Sequence, residues 1–222
     1  MPRAPQNKYW QTAADEIDES SGCFSFLLPP LIVIFISLIL SSFALQAPVQ
    51  AISVHPTSGL APFFRPEIQH WARSIIEWSS ASSLDPNLVA VIMQIESCGD
   101  PRARSRAGAM GLFQVMPFHF YAADNPYNPD TNAARGLAYL AKSLTTANGD
   151  ARLALAGYNG GIGVIARAES TWPAETKRYV YYGAPIYQDA RQGVNSSPML
   201  DEWYKKYGVS LCQQAHERLG LP

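Results

Sequence analysis

The sequence predicts a mainly α protein with one folded domain over residues 66–222. From Pro66 onward, apolar residues recur at helical spacing, and Gly, Pro, Asn and Asp mark where helices begin and end. Alternating strand patterns are nearly absent from the same region. At 222 residues the chain is long enough to bury a hydrophobic core of useful size.

Residues 1–65 differ in composition from the rest of the chain. Residues 1–23 form a polar, acidic tail with few core-forming side chains, which is typical of disorder. Residues 24–47 carry no charge, and about 20 apolar residues suffice to span a bilayer. Residues 48–65 are rich in Pro, Ser, Ala and Gly. The predicted order is therefore a tail, a transmembrane helix or signal anchor, a linker and the folded domain.

Three interpretations of the apolar run 24–47 compete. It can be an uncleaved signal anchor, a signal peptide cut at the small-x-small site Val49-Gln50-Ala51, or a buried helix of a soluble core. We favour the anchor, because an acidic leader is a poor signal-peptide n-region and because the run has no polar face. Arg3 and Lys8 precede the run and no Lys or Arg occurs from 24 to 64, which places the N-terminus in the cytoplasm. The domain is then extracytoplasmic on a single-pass cell-membrane anchor, or secreted after signal cleavage.

The three cysteines fit this topology. Cys23 would stay on the cytoplasmic side, whereas Cys98 and Cys212 would face an oxidising space. Cys98 and Cys212 could form one disulfide that closes the C-terminal part onto the preceding helices. The alternative is two unrelated buried thiols, because a sequence does not give the distance between two cysteines.

Local signals place the elements of the domain in order. Asp85-Pro86 begins a helix and Gly99-Asp100-Pro101 ends it, while Asn148-Gly149 ends a later one. A short hairpin near 103–110 is compatible with the pattern. The predicted helices are 66–82, 86–98, 130–148, 151–158, 161–167, 173–182, 198–207 and 211–219.

Glu96 is the unusual residue of the helix over 86–98. It borders the apolar face of that helix and lies in its last turn, where the helix dipole is negative. Burial and the dipole both disfavour a carboxylate and raise its pKa. A carboxylic acid that is protonated at neutral pH can donate a proton to a glycosidic oxygen. Taken alone, the helix favours the alternative that Glu96 reaches solvent at a frayed helix end.

Segments around and after Glu96 indicate a function for this carboxylic acid. They occur in a fixed order over about 90–182. Together they resemble the lytic transglycosylases of the soluble-lytic-transglycosylase type, which are related to goose-type lysozymes. The matching segments are Gln94-Ile95-Glu96-Ser97, Ser105, Gly108-Ala109-Met110-Gly111-Leu112-Phe113-Gln114-Val115-Met116-Pro117, Asn132, Gly136, Tyr139-Leu140, Ala154-Leu155-Ala156-Gly157-Tyr158-Asn159-Gly160-Gly161, Glu175-Thr176 and Tyr179-Val180.

The resemblance implies a lysozyme-like domain with a substrate cleft and assigns roles by position. Glu96 matches the catalytic acid, and Ser105 matches a serine that contacts substrate near the reacting sugar. The other implied substrate-binding positions are Gln114, Met116, Tyr158, Asn159, Glu175 and Tyr179. Each also has a plainer interpretation: Met116 and Tyr158 can be core residues, Asn159 can belong to a helix stop, and Glu175 can be a charge in a first helical turn.

The implied activity is cleavage of the β-1,4 bond between N-acetylmuramic acid and N-acetylglucosamine in peptidoglycan. In that activity Glu96 acts first as acid and then as base, and the product ends in a 1,6-anhydro ring. Two alternatives remain, a lysozyme-type muramidase that delivers water and a non-catalytic peptidoglycan-binding module.

Other function classes find little support. The net charge is −1, without the basic excess usual for nucleic-acid binding. His55, His70, His119 and His216 lack metal-ligand spacing, so neither a metal nor another cofactor is expected. The expected partners are glycan strands of peptidoglycan, the membrane through 24–47, and cell-wall machinery that the sequence does not name.

Overall fold

Helices dominate residues 59–222, the part of the chain that the computed structural model describes. The α-helices are α1 (Pro66–Gln69), α2 (Ala72–Ser82), α3 (Pro86–Ser97), α4 (Pro129–Thr146), α5 (Ala151–Gly160), α6 (Ala174–Gln192), α7 (Pro198–Trp203) and α8 (Val209–Leu219). Single 3₁₀ turns cover Pro117–His119, Ile162–Val164 and Glu169–Thr171, and a π-helical turn covers Tyr204–Gly208. Within 59–222, β-structure is limited to the isolated bridges Arg104–Met110 and Met110–Val115. The prediction of a mainly α domain is confirmed.

Helix α3 lies at the centre of the core. Residues 88–93 on this helix are at most 1% exposed, so α3 is apolar around its whole circumference over that stretch. It packs against α1, α2, α6 and α8, while α5 packs against α4 and α6. As predicted, Asp85 caps the start of α3, and its side chain accepts a hydrogen bond from the Asn87 N–H at 2.8 Å.

The prediction of one continuous helix over 66–82 is wrong. Helix α1 ends at Gln69 and α2 begins at Ala72, because Trp71 leaves helical geometry with φ −91° and ψ 4°. The Trp71 indole donates a hydrogen bond to the Gly99 carbonyl at 2.9 Å. This hydrogen bond connects the break between α1 and α2 to the loop after α3. The break therefore depends on a tertiary contact that the helical spacing of the sequence does not indicate.

Four later helices also differ from their predicted bounds. The region 161–167 forms only the turn Ile162–Val164, whereas the helix predicted over 173–182 extends to Gln192 and contains Pro185 in its interior. The helices predicted over 198–207 and 211–219 are joined through the π-helical turn. In this turn a Cβ on Gly208 would lie 2.6 Å from the Trp203 ring, so only glycine lets the backbone approach the indole.

Residues ahead of Pro66 take part in the core. Ala61 and Phe64 are 2% and 3% exposed, and the Ala61 N–H donates to the Asn87 side chain at 2.9 Å. The folded part of the chain therefore begins earlier than the predicted boundary at 66. The predicted tail 1–23, the transmembrane helix 24–47 and the first part of the linker 48–65 lie outside the described residues. In the part that is described, no helix combines the length and the apolar composition needed to cross a membrane.

Helix α8 is fastened to the end of α3. Cys98 and Cys212 form a disulfide with their Cα atoms 5.0 Å apart. Asp100 is fully buried and accepts hydrogen bonds from Gln214 at 2.9 Å and from Arg218 at 2.5 Å. Because a buried carboxylate must be paired to be tolerated, these bonds make Asp100 a structural anchor and remove it as a second catalytic acid.

We expect Cys212→Ser to destabilise the domain. The bridge joins residues 114 positions apart, and closing so long a loop lowers the entropy of the unfolded chain. The free energy of unfolding should fall by about 2–5 kcal/mol, measured by urea denaturation of the oxidised full chain. Reductant should lower the wild type to a similar value and leave Cys98→Ser/Cys212→Ser unchanged. Equal midpoints for oxidised and reduced wild type would contradict this expectation.

Candidate active site

Glu96 opens into a cavity at the end of α3. We call this space of about 180 Å³ the acid cavity. It is lined by Ile95, Glu96, Asn159, Glu175, Arg178, Tyr179, Tyr182, Trp203, Tyr207 and Leu211. Helix α3 ends directly after Glu96, because Cys98 takes a left-handed conformation with φ 50°. The acid is thus presented from the last turn of the most buried helix.

The surroundings of Glu96 favour its protonated form. Burial raises the pKa of Glu96 to about 8, and the nearby charge of Glu175 acts in the same direction. The nearby Tyr179 hydroxyl opposes the shift in the pKa of Glu96. This hydroxyl is buried and meets no hydrogen-bond partner at bonding geometry within residues 59–222. At neutral pH Glu96 is therefore mainly a neutral acid that can donate a proton.

Tyr158 connects the acid with the segment that follows α3. Its hydroxyl donates a hydrogen bond to the Phe113 carbonyl at 2.8 Å. Burial raises the pKa of Tyr158 well above its ordinary value, and the charge of Glu96 raises it further. Tyr158 therefore stays protonated and keeps its bond to Phe113, while its ring remains within the electrostatic field of Glu96.

A second, smaller space lies on the Tyr158 side. We call it the distal pocket; its volume is about 50 Å³. It is lined by Gln114, Val115, Met116, His119, Gly136, Tyr139 and Tyr158. Gln114 has φ 46° and its side chain donates to the Gly111 carbonyl at 2.9 Å, which fixes a tight turn at the pocket wall. The rings of His119 and Tyr139 lie 4.7 Å apart at this pocket.

The structure divides the predicted site residues between these two spaces. Glu96, Asn159, Glu175 and Tyr179 line the acid cavity, whereas Gln114, Met116 and Tyr158 line the distal pocket. Ser105 lines neither: it is exposed in the small hairpin, where its hydroxyl accepts a hydrogen bond from the Ala109 N–H at 3.0 Å.

Asn159 joins α5 to α6 at the rim of the acid cavity. Its side-chain oxygen accepts a hydrogen bond from the Thr176 hydroxyl at 2.8 Å. Thr176 is buried, whereas the adjacent Glu175 is exposed at the start of α6. This bond fixes the position of the loop between the two helices and therefore the place where Glu175 faces the cavity.

Asn132 holds the segment after α3 in place. Its side chain accepts from the Phe113 N–H at 2.8 Å and donates to the carbonyls of Met110 and Pro126 at 2.8 and 2.9 Å. A Cβ on Gly111 would lie 2.4 Å from the Asn132 amide, and that glycine has φ +74°. Asn132 and Gly111 therefore shape the cleft wall and need no contact with a substrate.

Several cavity residues have no counterpart in the sequence prediction. They are Arg178, Tyr182, Trp203, Tyr207 and Leu211. Three of these follow Glu96 by more than a hundred positions and sit on α7, the π-helical turn and α8. No spacing in the sequence relates them to Glu96, because they reach it only through the packing of these late helices against α3 and α6.

The described residues contain one cluster with the proximity expected of metal ligands, Glu67 with Cys98 and Cys212. Its two sulfur atoms are bonded to each other, so they cannot act as thiolate ligands. Glu67 instead contacts the His216 ring at 3.0 Å. The cluster is part of the attachment of α8 and is separate from the acid cavity.

Comparisons with known proteins show which proteins part of this chain resembles. Residues 73–180 match the family model described as Transglycosylase SLT domain. A transglycosylase of Enterobacteria phage PRD1 is 40% identical over 111 residues, which are 49% of this chain and 40% of that protein. The membrane-bound lytic murein transglycosylase D of Escherichia coli K12 is 28% identical over 139 residues, 57% of this chain and 30% of that protein.

Two further proteins also resemble part of this chain. The membrane-bound lytic murein transglycosylase C of Photorhabdus laumondii is 30% identical over 123 residues, 46% of this chain and 34% of that protein. An X-ray structure of an inactive mutant of the lytic transglycosylase Slt from Pseudomonas aeruginosa aligns with a TM-score of 0.41 and 24% identity, over 68% of this chain and 24% of that chain. The matches thus span less than half the length of the curated relatives, and the family resemblance is confirmed.

We expect Gly157→Ala to destabilise the protein. A Cβ on Gly157 would lie 2.3 Å from the Ser143 hydroxyl oxygen and 2.6 Å from Ile165, so α5 would have to move away from α4. A loss of about 1–3 kcal/mol in the free energy of unfolding is typical of such overpacking. Gly157→Ala in a Ser143→Ala background should cost less, and a double-mutant cycle by urea denaturation measures the difference. Equal costs in both backgrounds would contradict the contact.

We expect the Glu96→Gln variant to be more stable than the wild type, by a difference in the free energy of unfolding that grows as pH rises. Between pH 4.5 and about 8 the folded wild type binds more protons at Glu96 than the unfolded chain does, so its stability falls as pH increases. The stability gain of Glu96→Gln over the wild type should be constant at low pH and grow by at most about 1.4 kcal/mol per pH unit in that window. Urea denaturation of both proteins across the window provides the measurement, and a pH-independent difference would contradict the raised pKa.

Proposed function

We propose that this chain, whose residues 73–180 match the family model described as Transglycosylase SLT domain, is a lytic transglycosylase that acts on peptidoglycan. The bond cut would be the β-1,4 link between N-acetylmuramic acid and N-acetylglucosamine. The observation that carries the proposal is the position of Glu96, a protonated acid in a polar-rimmed cavity at the end of a buried helix. Its pKa of about 8 suits proton donation at neutral pH.

In the first step Glu96 would act as general acid. Its carboxyl proton passes to the glycosidic oxygen as the bond to the anomeric carbon of the muramic residue breaks. The N-acetylglucosamine side leaves with a hydroxyl group, and Glu96 becomes a carboxylate. The 2-acetamido oxygen of the muramic residue would stabilise the anomeric carbon, so this step needs no second protein carboxylate. Burial of Glu96 makes the proton available for this step, because the site favours its neutral form before the reaction.

In the second step Glu96 would act as base. The carboxylate takes the proton of the muramic C6 hydroxyl as that oxygen attacks the anomeric carbon and closes the 1,6-anhydro ring. The acid is thereby regenerated, and no water enters the product. The raised pKa serves this step as well, because a buried carboxylate accepts a proton more readily than a solvated one.

The remaining site residues would position the sugars. Tyr179 lies beside Glu96 and stays protonated, since burial raises its pKa well above the ordinary value, so it would donate a hydrogen bond to the carboxylate formed in the first step. Gln114, Met116 and Tyr158 would form a binding wall for sugars on the distal side. Asn159 would hold the cavity rim, and Ser105 would reach substrate from its exposed hairpin.

A muramidase is the second candidate, and Glu175 favours it. This carboxylate lines the acid cavity and interacts electrostatically with Glu96. Inverting glycosidases employ a second carboxylate to activate the attacking water. A hydrolase would therefore need Glu175 for every turnover, whereas the transglycosylase mechanism needs it only for its influence on Glu96.

The arrangement of the whole chain would fit a polymeric substrate outside the cytoplasm. The uncharged run 24–47 would anchor the protein in the cell membrane, with 1–23 on the cytoplasmic side and 48–65 as a tether for the lysozyme-like domain. Cleavage after Ala51 would release the same domain as a secreted protein. Any cell-wall machinery that binds the tail or tether would localise the activity.

The proposal predicts that digestion of peptidoglycan yields 1,6-anhydro-muramic ends. Mass spectrometry distinguishes these from reducing ends, which are heavier by one water. Glu96→Gln should lower turnover by about a hundredfold to ten-thousandfold, because general acid–base catalysis contributes about 10²–10⁴ in rate. The variant should remain folded, as judged by circular dichroism and thermal unfolding.

Glu175→Gln separates the two enzymatic mechanisms. A transglycosylase keeps the anhydro product and changes mainly its pH dependence, since loss of the Glu175 charge lowers the pKa of Glu96. A hydrolase loses turnover altogether. Reducing ends from the wild type would overturn the transglycosylase proposal, and tight binding of glycan with no product from the wild type would indicate a binding module.

A further inference from the structure

A larger groove lies beside the acid cavity. We call this space of about 700 Å³ the side groove. Its walls include Arg178, Tyr181, Tyr182, Gln188, Met199 and Tyr207. Arg178, Tyr182 and Tyr207 line the acid cavity as well, so these side chains form the boundary between the two spaces. A molecule held in the acid cavity can therefore extend a substituent past Arg178 into the side groove.

Arg178 is the cation of this groove whose charged group makes no hydrogen bond or ion pair with the described residues. Arg152 is paired with Glu169 at 2.5 Å, and the Lys177 ammonium donates to the Ser170 carbonyl at 2.6 Å. Arg178 has no carboxylate within 4.0 Å in the described part of the chain, and its guanidinium lies 5.4 Å from the centre of the Tyr207 ring. A guanidinium on an aromatic face is well placed to bind a carboxylate.

The groove also offers groups that match a peptide backbone. Pro185 lies inside α6 and has no N–H to donate to the Tyr181 carbonyl, so an acceptor is left at the groove wall. The exposed Gln188 amide can both donate and accept hydrogen bonds. Ala184 and Met199 contribute apolar surface. Donors, an acceptor, apolar surface and a free cation together fit a short acidic peptide better than a sugar or a lipid chain.

We propose that the side groove binds the acidic peptide that branches from the muramic residue held in the acid cavity, with Arg178 pairing with a carboxylate of that peptide. The inference rests on the proposed function, because it is the substrate that connects the two spaces. Tyr181, Gln188, Met199 and Tyr207 lie beyond residue 180, where the family match ends. The side groove would thus give the enzyme a preference for glycan strands that carry peptides. Most of the residues behind this preference would come from the C-terminal segment of the chain.

Charge reversal at Arg178 tests the proposal by turnover. The full chain is supplied with glycan strands that carry their peptides and with strands stripped of peptides by an amidase. Arg178→Glu should lower the ratio of kcat/KM on peptide-bearing strands to kcat/KM on stripped strands by at least about tenfold, because a like charge replaces the carboxylate partner. Arg191→Glu makes the same charge change on α6, next to Tyr187 and away from both spaces, and should leave the ratio unchanged.

A binding measurement separates this inference from the proposed function. A soluble N-acetylmuramyl tetrapeptide is titrated into the full chain by calorimetry, which requires no turnover. The dissociation constant should rise at least about tenfold in Arg178→Glu and in Gln188→Trp, where a large ring at an exposed position obstructs the groove. Arg191→Glu should match the wild type.

The outcomes of these two experiments are distinct. If the wild type cuts both kinds of strand while neither the ratio nor the binding depends on Arg178, the inference is overturned and the proposed function stands. If the wild type cuts neither strand and binds the tetrapeptide through Arg178, the proposed activity fails and the peptide site is supported. A loss in Arg178→Glu that is equal on both strands, without weaker tetrapeptide binding, also overturns the inference.

Discussion

The fixed end of α3 is the constraint on which the candidate site depends. The residues after Glu96 are tied to other parts of the chain: the Ser97 hydroxyl bonds to the Leu112 carbonyl at 2.6 Å, Cys98 is bridged to Cys212, and Asp100 is paired with Arg218. A frayed helix end would let the Glu96 carboxylate reach water and regain an ordinary pKa. With the end held, the acid stays in its cavity, and desolvation keeps it protonated near neutral pH.

The residues that line the acid cavity come from two parts of the chain, which the attachment of α8 to the end of α3 holds together. The helix that carries Glu96 and the loop between α5 and α6 belong to the segment that matches the family, but Trp203, Tyr207 and Leu211 come from the last forty residues. The disulfide fastens α8, and α8 continues from the π-helical turn that presents Tyr207. Fastening the C-terminal segment therefore both holds the end of α3 and closes one wall of the acid cavity.

What the sequence predicted well depends on local interactions or on the resemblance. The start of α3 could be found because Asp85 caps its own helix. Glu96 was noticeable as a carboxylate beside an apolar face, but only the order of the segments that resemble the family pointed to a role for it. The break at Trp71 and the wall at Tyr207 could not, since each depends on contacts with distant segments. Gly157 shows the same limit, because the contact that leaves no room for a Cβ joins residues that are not neighbours in the sequence.

The energetics of Glu96 connect this site with the stability of the domain. Keeping an acid with a pKa of about 8 in place of an ordinary glutamate costs a few kcal/mol of stability at high pH, because the unfolded chain ionises freely there. Net stability of a domain is only about 5–15 kcal/mol, so such a cost must be offset elsewhere. The disulfide lies two residues from Glu96 and constrains a long loop, which contributes an amount of the same order. A buried acid of this kind is then compatible with a stable fold as long as the disulfide is intact.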